Sequence, residues 1–317
     1  MVNGQWSMFN EILRHRYGSG EGRALYELIM EQRFGLTRTD ILLGKDTTLS
    51  AEDNAELEII LERVAKGEPV QYVLGSAEFC GREFLVGPGV LVPRPETQQM
   101  VHLVEQNVSP GSMVLDVGTG SGCIAITLAL AGYRVTAIDI SDAALSYARQ
   151  NAARLGAEVE FVKQDILALS NLSRTLPLPL PCREGRSHIW KTIYSPPCKG
   201  GVGGGSGASR KGLTCIVSNP PYVCKREASM MDDNVLLHEP HLALFVPDDD
   251  PLLFYRAISE LGLTHLAEGG QIFFEVNRAF STEVEGLLLS KGYVETKIMK
   301  DQYDNERFVW ARKRQDN

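Results

Sequence analysis

Four consecutive residues could hold a planar amide or amine nitrogen: Asn219, Pro220, Pro221 and Tyr222, which we call the elbow. The Asn side chain offers an acceptor oxygen, and the prolines lack N–H donors, so backbone carbonyls here can serve as further acceptors. The Tyr ring adds a flat face for packing. The elbow therefore suits a substrate nitrogen that carries two hydrogens and is conjugated to a carbonyl or an aromatic ring. An ordinary β-turn is the alternative, because Asn and Pro are common turn residues.

A second candidate site is a turn with three glycines in five positions. We call it the glycine loop: Gly118, Thr119, Gly120, Ser121 and Gly122. The run 113–117 reads as a strand before it, an apolar helix follows it, and the next strand ends at Asp139. Glycines let the backbone approach a ligand at the start of a helix, and a carboxylate about 20 residues further on is placed to bind a ribose diol. A tight turn without a ligand is the alternative.

The spacing Gly-x-Gly-x-Gly, with Asp116 before it, departs from the Gly-x-Gly-x-x-Gly pattern of nicotinamide dinucleotide sites. It resembles the loop of class I S-adenosylmethionine-dependent methyltransferases. A carboxylate would repel a pyrophosphate but suits the cationic amino group of a methionine moiety. In that fold the residues after the third strand lie by the adenine, which predicts Asp165 and Ile166 as its neighbours. For Asp165, a solvated loop acid is the alternative.

The elements that position these residues fall into three predicted regions: a helical domain at 1–68, a β-hairpin linker at 69–93 and a larger α/β domain at 94–317. In the first, Ser50 and Asp53 resemble a capping box before an apolar helical face at Leu57, Ile60, Leu61 and Val64. In the second, the β-rich runs 72–74 and 84–86 flank Cys80-Gly81 and predict a hairpin. The third opens with an extended segment at 93–97. There Arg94 and Glu96 either line the mouth of the site and contact substrate or form a solvated ion pair.

Composition restricts the function classes. The chain of 317 residues has a formal net charge of −8, but the stretch 171–213 holds seven Lys/Arg and one Asp/Glu, so it carries +6 and the remainder −14. An acidic remainder argues against tight binding of a nucleic-acid backbone.

Because 171–213 also holds five prolines and eight glycines, we predict a low-complexity, disordered insertion. The six scattered cysteines predict neither disulfides nor a metal site. With no long apolar run and no secretory signal, we expect a cytoplasmic enzyme.

Taken together, the motifs resemble the bacterial release-factor glutamine-N5 methyltransferases over nearly the whole chain. The resemblance rests on the glycine loop, Asp139, the elbow, the 93–97 segment, Glu239-Pro240 with Ala243-Leu244, and the Asp-Asn-Glu-Arg run at 304–307. It implies a Rossmann-like, mostly parallel sheet with an antiparallel closing strand, joined to a small N-terminal helical bundle that recognises substrate. The 171–213 stretch departs from the family, which joins strands three and four by a short connection.

The resemblance also implies the reaction. The methyl group of S-adenosylmethionine would pass to the side-chain amide nitrogen of the glutamine in the Gly-Gly-Gln loop of class I peptide chain release factors, leaving S-adenosylhomocysteine. Asn219 and the Pro220 carbonyl would accept the two N–H bonds, Tyr222 would pack on the amide plane, and Pro221 would hold the turn. We expect a monomer that uses no metal and forms no stable nucleic-acid complex. The alternative is an adenine-N6 or cytosine-N4 methyltransferase that presents a nucleobase to the same elbow.

Overall fold

The computed structural model describes residues 4–169 and 213–315, with side chains from residue 13 onward. Apart from Leu213, the predicted insertion at 171–213 lies outside the described residues. The described chain falls into two compact units. The first is drawn from Met1–Ala77, Val86–Pro88 and Met230–Glu239, and the second from Glu78–Leu85, Gly89–Ser229 and Pro240–Asn317. No helix of the described residues is long and apolar enough to cross a membrane.

The first unit is mainly helical, as its apolar periodicity predicts. Its helices are α1 (Gly4–Phe34, with a break at Gly18), α2 (Arg38–Leu42), a 3-10 helix (Lys45–Thr48), α3 (Ala51–Ala65), α4 (Val70–Leu74) and α8 (Asp233–His238). Helix α3 begins where the capping signal places it, because the Ser50 hydroxyl accepts a hydrogen bond from the Asp53 backbone N–H at 3.0 Å. The four apolar residues predicted on its inner face are all buried.

The predicted hairpin is present, but its first strand was placed too early. Residues 72–74 belong to helix α4, and the strands are β1 (Ser76–Phe79) and β2 (Arg82–Leu85). The β-rich composition at 72–74 is overridden because Pro69 begins a helical turn that buries Val70 and Tyr72. Gly75, with a φ of 81°, then ends that helix in the left-handed conformation.

The second unit is organised around a seven-stranded sheet in the order β10-β11-β9-β6-β3-β4-β5. Its strands are β3 (Met113–Val117), β4 (Arg134–Asp139), β5 (Val159–Lys163), β6 (Leu213–Ser218), β9 (Leu266–Glu275), β10 (Tyr293–Lys300) and β11 (Glu306–Lys313). Strands β5, β4, β3, β6 and β9 are parallel, and β11 and β10 run antiparallel at one edge. The mostly parallel sheet with an antiparallel closing pair is therefore confirmed.

Helices connect and cover these strands. They are α5 (Pro95–Asn107), α6 (Cys123–Leu130), α7 (Asp142–Leu155), α9 (His241–Leu244), α10 (Leu253–His265) and α11 (Ser281–Ser290). A short parallel pair, β7 (Val223–Cys224) with β8 (Phe245–Val246), follows the elbow. The chain runs outward from β3 through β4 to β5, then pairs β6 on the other side of β3. The order of the strands thus reverses between β3 and β6, which is where sheets of this kind bind ligands.

Candidate active site

The candidate site residues follow the carboxyl ends of the parallel strands. The glycine loop follows β3, Asp139 ends β4, Asp165 comes two residues after β5, and the elbow follows β6. Because parallel strands present their carboxyl ends at one edge of the sheet, the topology gathers residues that are far apart in sequence. The hydroxyl of Ser218, the last residue of β6, donates to the Val117 carbonyl on β3 at 2.7 Å. This bond joins the two strands at the point where the elbow and the glycine loop begin.

The glycine loop has the backbone conformation that its composition predicts. Gly118, Gly120 and Gly122 have φ angles of 77°, 56° and 82°, in the left-handed region that favours glycine. A Cβ on Gly118 would meet no atom within 4 Å, so that position opens onto space. A Cβ on Gly122 would lie 2.8 Å from Ile126 Cδ1 and 3.1 Å from Ala148 Cβ. The last glycine of the loop is therefore also needed for close packing of α6 against α7.

Asp139 is hydrogen-bonded to the glycine loop. One carboxylate oxygen accepts the Gly120 backbone N–H and the other accepts the Ser141 backbone N–H, both at 2.9 Å. Burial raises the pKa of this carboxyl, and the backbone donors oppose that rise. Each carboxylate oxygen has a second lone pair. Asp139 can therefore hold the loop and still accept hydrogen bonds from a ligand.

Asp116 is enclosed beneath the loop with none of its surface exposed. Its Oδ2 accepts the Thr119 hydroxyl at 2.6 Å, whereas Oδ1 is buried with no hydrogen-bond partner among the described residues. Burial raises the pKa of this carboxyl to about 7, although the Thr119 bond opposes the rise. A buried acceptor without a donor is costly, and a nearby cation would relieve that cost.

Asp165 and Ile166 begin a helical turn after β5. The Leu167 backbone N–H donates to Asp165 Oδ1 at 2.8 Å, and the Gln164 N–H donates to the Asp139 carbonyl at 2.8 Å. Asp165 is half-buried, and Ile166 is buried in the core on that side of the sheet. The structure thus places this pair just after β5, the strand that pairs with β4 and its last residue Asp139. Contact with an adenine stays a prediction.

The elbow is held by side chains that the sequence did not single out. The Asn219 side-chain amide donates to the Thr97 hydroxyl at 3.2 Å, and Thr97 donates to Glu275 Oε2 at 2.7 Å. The Tyr222 hydroxyl donates to Glu275 Oε1 at 3.2 Å. Pro220 is buried, while Asn219, Pro221 and Tyr222 are half-buried and so partly accessible. The network holds both ends of the elbow against α5 and β9.

Glu275 is the main residue that sequence reasoning missed. It ends β9 and is 1% exposed. Burial raises the pKa of this carboxyl to about 6, and the Thr97 hydrogen bond, Arg307 and the Tyr222 hydrogen bond oppose the rise. The available signal was a single carboxylate in the otherwise apolar run Ile272–Val276, because a buried acid needs a partner. Asn277, two residues later, was missed too; its amide donates to the Tyr222 carbonyl at 3.3 Å.

The two residues predicted to line the mouth, Arg94 and Glu96, lie at the start of α5 and are half-buried. Both are close enough to the network to act on it electrostatically. Burial raises the pKa of Tyr222, Glu275 raises it further, and the charges of Arg307 and Arg94 lower it. Glu96 in turn contributes to the raised pKa of Glu275, after the larger effect of burial. The structure therefore brings both residues close to the elbow.

Comparison with known proteins gives a consistent result. Residues 7–75 match the PrmC N-terminal domain, and residues 114–180 match a methyltransferase domain. The chain is 40% identical over 301 residues to the release factor glutamine methyltransferase of Bacteroides thetaiotaomicron, with 94% of this chain and 95% of that protein covered. It is 33% identical over 316 residues to the protein of the same name from Flavobacterium psychrophilum, with 98% of each covered.

Among solved structures, the chain matches the release factor-specific protein-(glutamine-N5) methyltransferase of Alicyclobacillus acidocaldarius. The match has 25% identity, covers 73% of this chain and 99% of that one, and has a TM-score of 0.37. Because this TM-score is low, the family assignment depends on the sequence relatives.

Proposed function

The chain belongs to the release factor glutamine methyltransferases, and we propose that it transfers a methyl group from S-adenosylmethionine to the side-chain amide nitrogen of a release-factor glutamine. The observation that carries this proposal is the elbow network, in which the Asn219 amide is anchored to Thr97 through its N–H group. Its carbonyl oxygen then receives no hydrogen bond from the described residues. An acceptor oxygen that is fixed and available is what a substrate –NH2 group requires.

The residues around the glycine loop fit S-adenosylmethionine. When bound, this cofactor supplies an electrophilic methyl group on a positively charged sulfur. At its three left-handed glycine positions the loop carries no side chain that would block a ligand, and Asp139 offers remaining lone pairs to a ribose diol. The buried, unpartnered Oδ1 of Asp116 favours a cationic ligand nearby over a pyrophosphate. Asp165 and Ile166 complete the proposed cofactor site beside the adenine.

The elbow positions the substrate amide nitrogen, which is a poor nucleophile because its lone pair is delocalised into the carbonyl. The Asn219 side-chain oxygen and the Pro220 backbone carbonyl accept its two N–H bonds, and Tyr222 packs against the amide plane. Positive charge that develops on the nitrogen is stabilised by these acceptors, each worth about 3 kcal/mol in the transition state. Loss of one N–H proton to water would then leave the neutral N-methyl amide beside S-adenosylhomocysteine. Positioning supplies much of the remaining rate enhancement, because the two reactants are held in line.

The helical region at 1–68 is the proposed recognition domain for class I release factors. The match of residues 7–75 to the PrmC N-terminal domain supports a separate N-terminal domain of the family type. Within this unit, Leu42 and Leu43 are 69% and 71% exposed at the end of α2. Two adjacent, strongly exposed leucines are suited to contact a protein partner. Arg94 and Glu96, near the elbow, are the proposed substrate contacts of the larger unit.

The test is transfer of a labelled methyl group from S-adenosylmethionine to a purified release factor. The matched control is the same factor with its Gly-Gly-Gln glutamine replaced by alanine, and duplex DNA serves as a second acceptor. We expect label on the native factor alone. Label on the DNA, or equal label on the substituted factor, would refute the proposal and favour the nucleobase alternative or another acceptor residue.

A further inference from the structure

The hydrogen bonds between the elbow and Glu275 run in one direction. Asn219 donates to Thr97, and Thr97 donates to Glu275 Oε2. Tyr222 donates to Glu275 Oε1. Both donor chains therefore end on the side-chain carboxylate of Glu275, which is buried. The backbone carbonyl of Glu275 also accepts a hydrogen bond from the Tyr255 hydroxyl at 3.2 Å. The residue is enclosed on several sides, which restricts its movement.

The direction of these bonds depends on the charge of Glu275. An ionised carboxylate can only accept, so Thr97 must direct its single hydroxyl hydrogen toward it. The Thr97 oxygen then has only lone pairs left for Asn219, and only the N–H side of the amide can bond to them. The two ends of an amide group have almost the same shape, so the hydrogen-bond network decides between them. The carboxylate thereby selects which end of Asn219 is left for the substrate.

We propose that Glu275, in its ionised form, is the positioning residue that orients the Asn219 amide and the Tyr222 hydroxyl for methyl transfer. This inference rests on the proposed function, in which the Asn219 oxygen accepts a hydrogen bond from the substrate amide. Glu275 is 1% exposed, so we assign it no contact with the substrate or the cofactor. It acts through Thr97, which lies 178 positions away in the sequence, and directly on Tyr222.

Protonation of Glu275 breaks this arrangement in either of two ways. A proton on Oε2 donates to Thr97, whose hydroxyl is then released from the carboxylate and can donate to Asn219, which allows the amide to reverse and present its N–H group to the substrate. A proton on Oε1 instead leaves the Tyr222 hydroxyl without its acceptor. In both cases one residue of the elbow loses the orientation that the substrate requires. The protonated enzyme is therefore the less active form.

The surroundings of Glu275 place this change in an accessible pH range. Burial raises its pKa from 4.5 to about 6 and outweighs the hydrogen bonds from Thr97 and Tyr222. Arg307 on β11 lowers the pKa, whereas Glu96 on α5 raises it. The raised pKa means that the ionised form is lost as the pH falls through about 6. The substrate amide does not titrate there. Asp116, whose pKa is also raised into this range, is present in the native enzyme and in a Glu275 variant alike, so the acidic limb that disappears on replacement of Glu275 reports on Glu275.

The first experiment measures the pH dependence of kcat, at saturating S-adenosylmethionine and release factor, for the native enzyme and Glu275→Gln. We expect the native kcat to fall about tenfold per pH unit below pH 6. Glutamine has the shape of glutamate but does not titrate, so its profile is expected to stay flat there. A native profile without an acidic limb between pH 5 and 7, or a variant that keeps the native limb, would overturn the inference.

The second experiment separates positioning from folding. Thr97→Val removes the hydroxyl at nearly constant shape, and we expect it to lower kcat about 10- to 100-fold, since small displacements of reacting groups have effects of this size. Thr97→Ser keeps the hydroxyl and is expected to restore most of the activity. Both are expected to bind S-adenosylmethionine with a Kd within about twofold of the native value. A Thr97→Val enzyme with the native kcat would contradict the role of Thr97.

Thr127→Val is the matched control, because Thr127 is buried and its hydroxyl has no partner among the described residues. This control is expected to keep the native kcat and pH profile. If Thr97→Val does not fold, the Glu275→Gln profile still decides. A native enzyme that methylates no release factor would refute the proposed function itself. A native enzyme that is active but has no acidic limb would refute only the role of Glu275.

Discussion

The replacement Asn219→Ala tests the central residue of the elbow. It removes the oxygen proposed to accept a substrate N–H bond and the N–H group that donates to Thr97. Loss of one fixed polar group that stabilises developing charge typically costs about 100- to 1,000-fold in kcat, or about 2.7–4 kcal/mol. Stability should change much less, because the half-buried Asn219 makes one hydrogen bond within the described residues, worth about 0.5–1.5 kcal/mol.

The assay is steady-state methyl transfer to a release factor, with cofactor affinity measured separately by calorimetry. We expect kcat to fall at least 100-fold while the Kd for S-adenosylmethionine stays within about threefold of the native value. Asn107→Ala is the control, since the exposed Asn107 at the end of α5 also makes one side-chain amide bond, to the Leu103 carbonyl. A kcat within about threefold of native would remove Asn219 from the mechanism. A parallel loss of cofactor affinity would show that the residue serves binding instead.

Two further substitutions test residues of the proposed cofactor site, Asp116 and Gly122. Asp116→Asn should raise the free energy of unfolding at pH 8 by about 1–3 kcal/mol. The pKa of the Asp116 carboxyl rises from 3.8 to about 7 on folding, so the ionised carboxylate destabilises the folded state by up to ~4 kcal/mol. The buried N–H group that Asn introduces offsets part of this gain. This destabilisation develops as the pH rises from 4 to 7, so urea unfolding at pH 4 should show little increase in stability for the variant. An equal increase at pH 4 and pH 8 would contradict the burial argument. Gly122→Ala should cost about 2–4 kcal/mol and weaken cofactor binding, because the new Cβ is strained at positive φ and meets Ile126 and Ala148. Gly156→Ala, where φ is 70° and no atom lies within 4 Å, should cost only about 1 kcal/mol, and equal losses at the two glycines would refute the packing role.

The larger unit was predictable because each of its elements carries a local signal. Strand β3 begins and ends at the residues that the sequence predicts, and strand β4 ends at the predicted Asp139. Each is bounded by a glycine, a proline or a capping residue, and the strands are rich in buried β-branched side chains. The error at 72–74 has the opposite cause. There the side chains favour a strand, but the helical turn between Pro69 and Gly75 buries two of them.

The site was predictable only where its residues are close in sequence. The elbow and the glycine loop are continuous motifs, so their composition states both conformation and chemistry. The network that orients the elbow joins Thr97 to Glu275 across 178 positions and to Asn219 across 122. No local pattern links these residues. Their meeting depends on the strand order, which pairs β9 with β6 and sets α5 nearby.

The two carboxylates beneath and beside the glycine loop explain why this sheet is better suited to a cationic ligand than to a dinucleotide. Asp116 is the last residue but one of β3, and Asp139 ends the neighbouring strand β4. Burial raises the pKa of Asp116, the Thr119 hydrogen bond lowers it, and the charge of Asp139 raises it further. A pyrophosphate would add two negative charges to this pair, whereas a sulfonium and an ammonium would each reduce the repulsion. Glu275 is a further buried acid at the same edge, and there the hydroxyl groups of Thr97 and Tyr222 donate hydrogen bonds that offset the cost of burial. On the proposed function, the same edge of the sheet would use one acid pair to favour the cofactor and one acid to orient the acceptor residues.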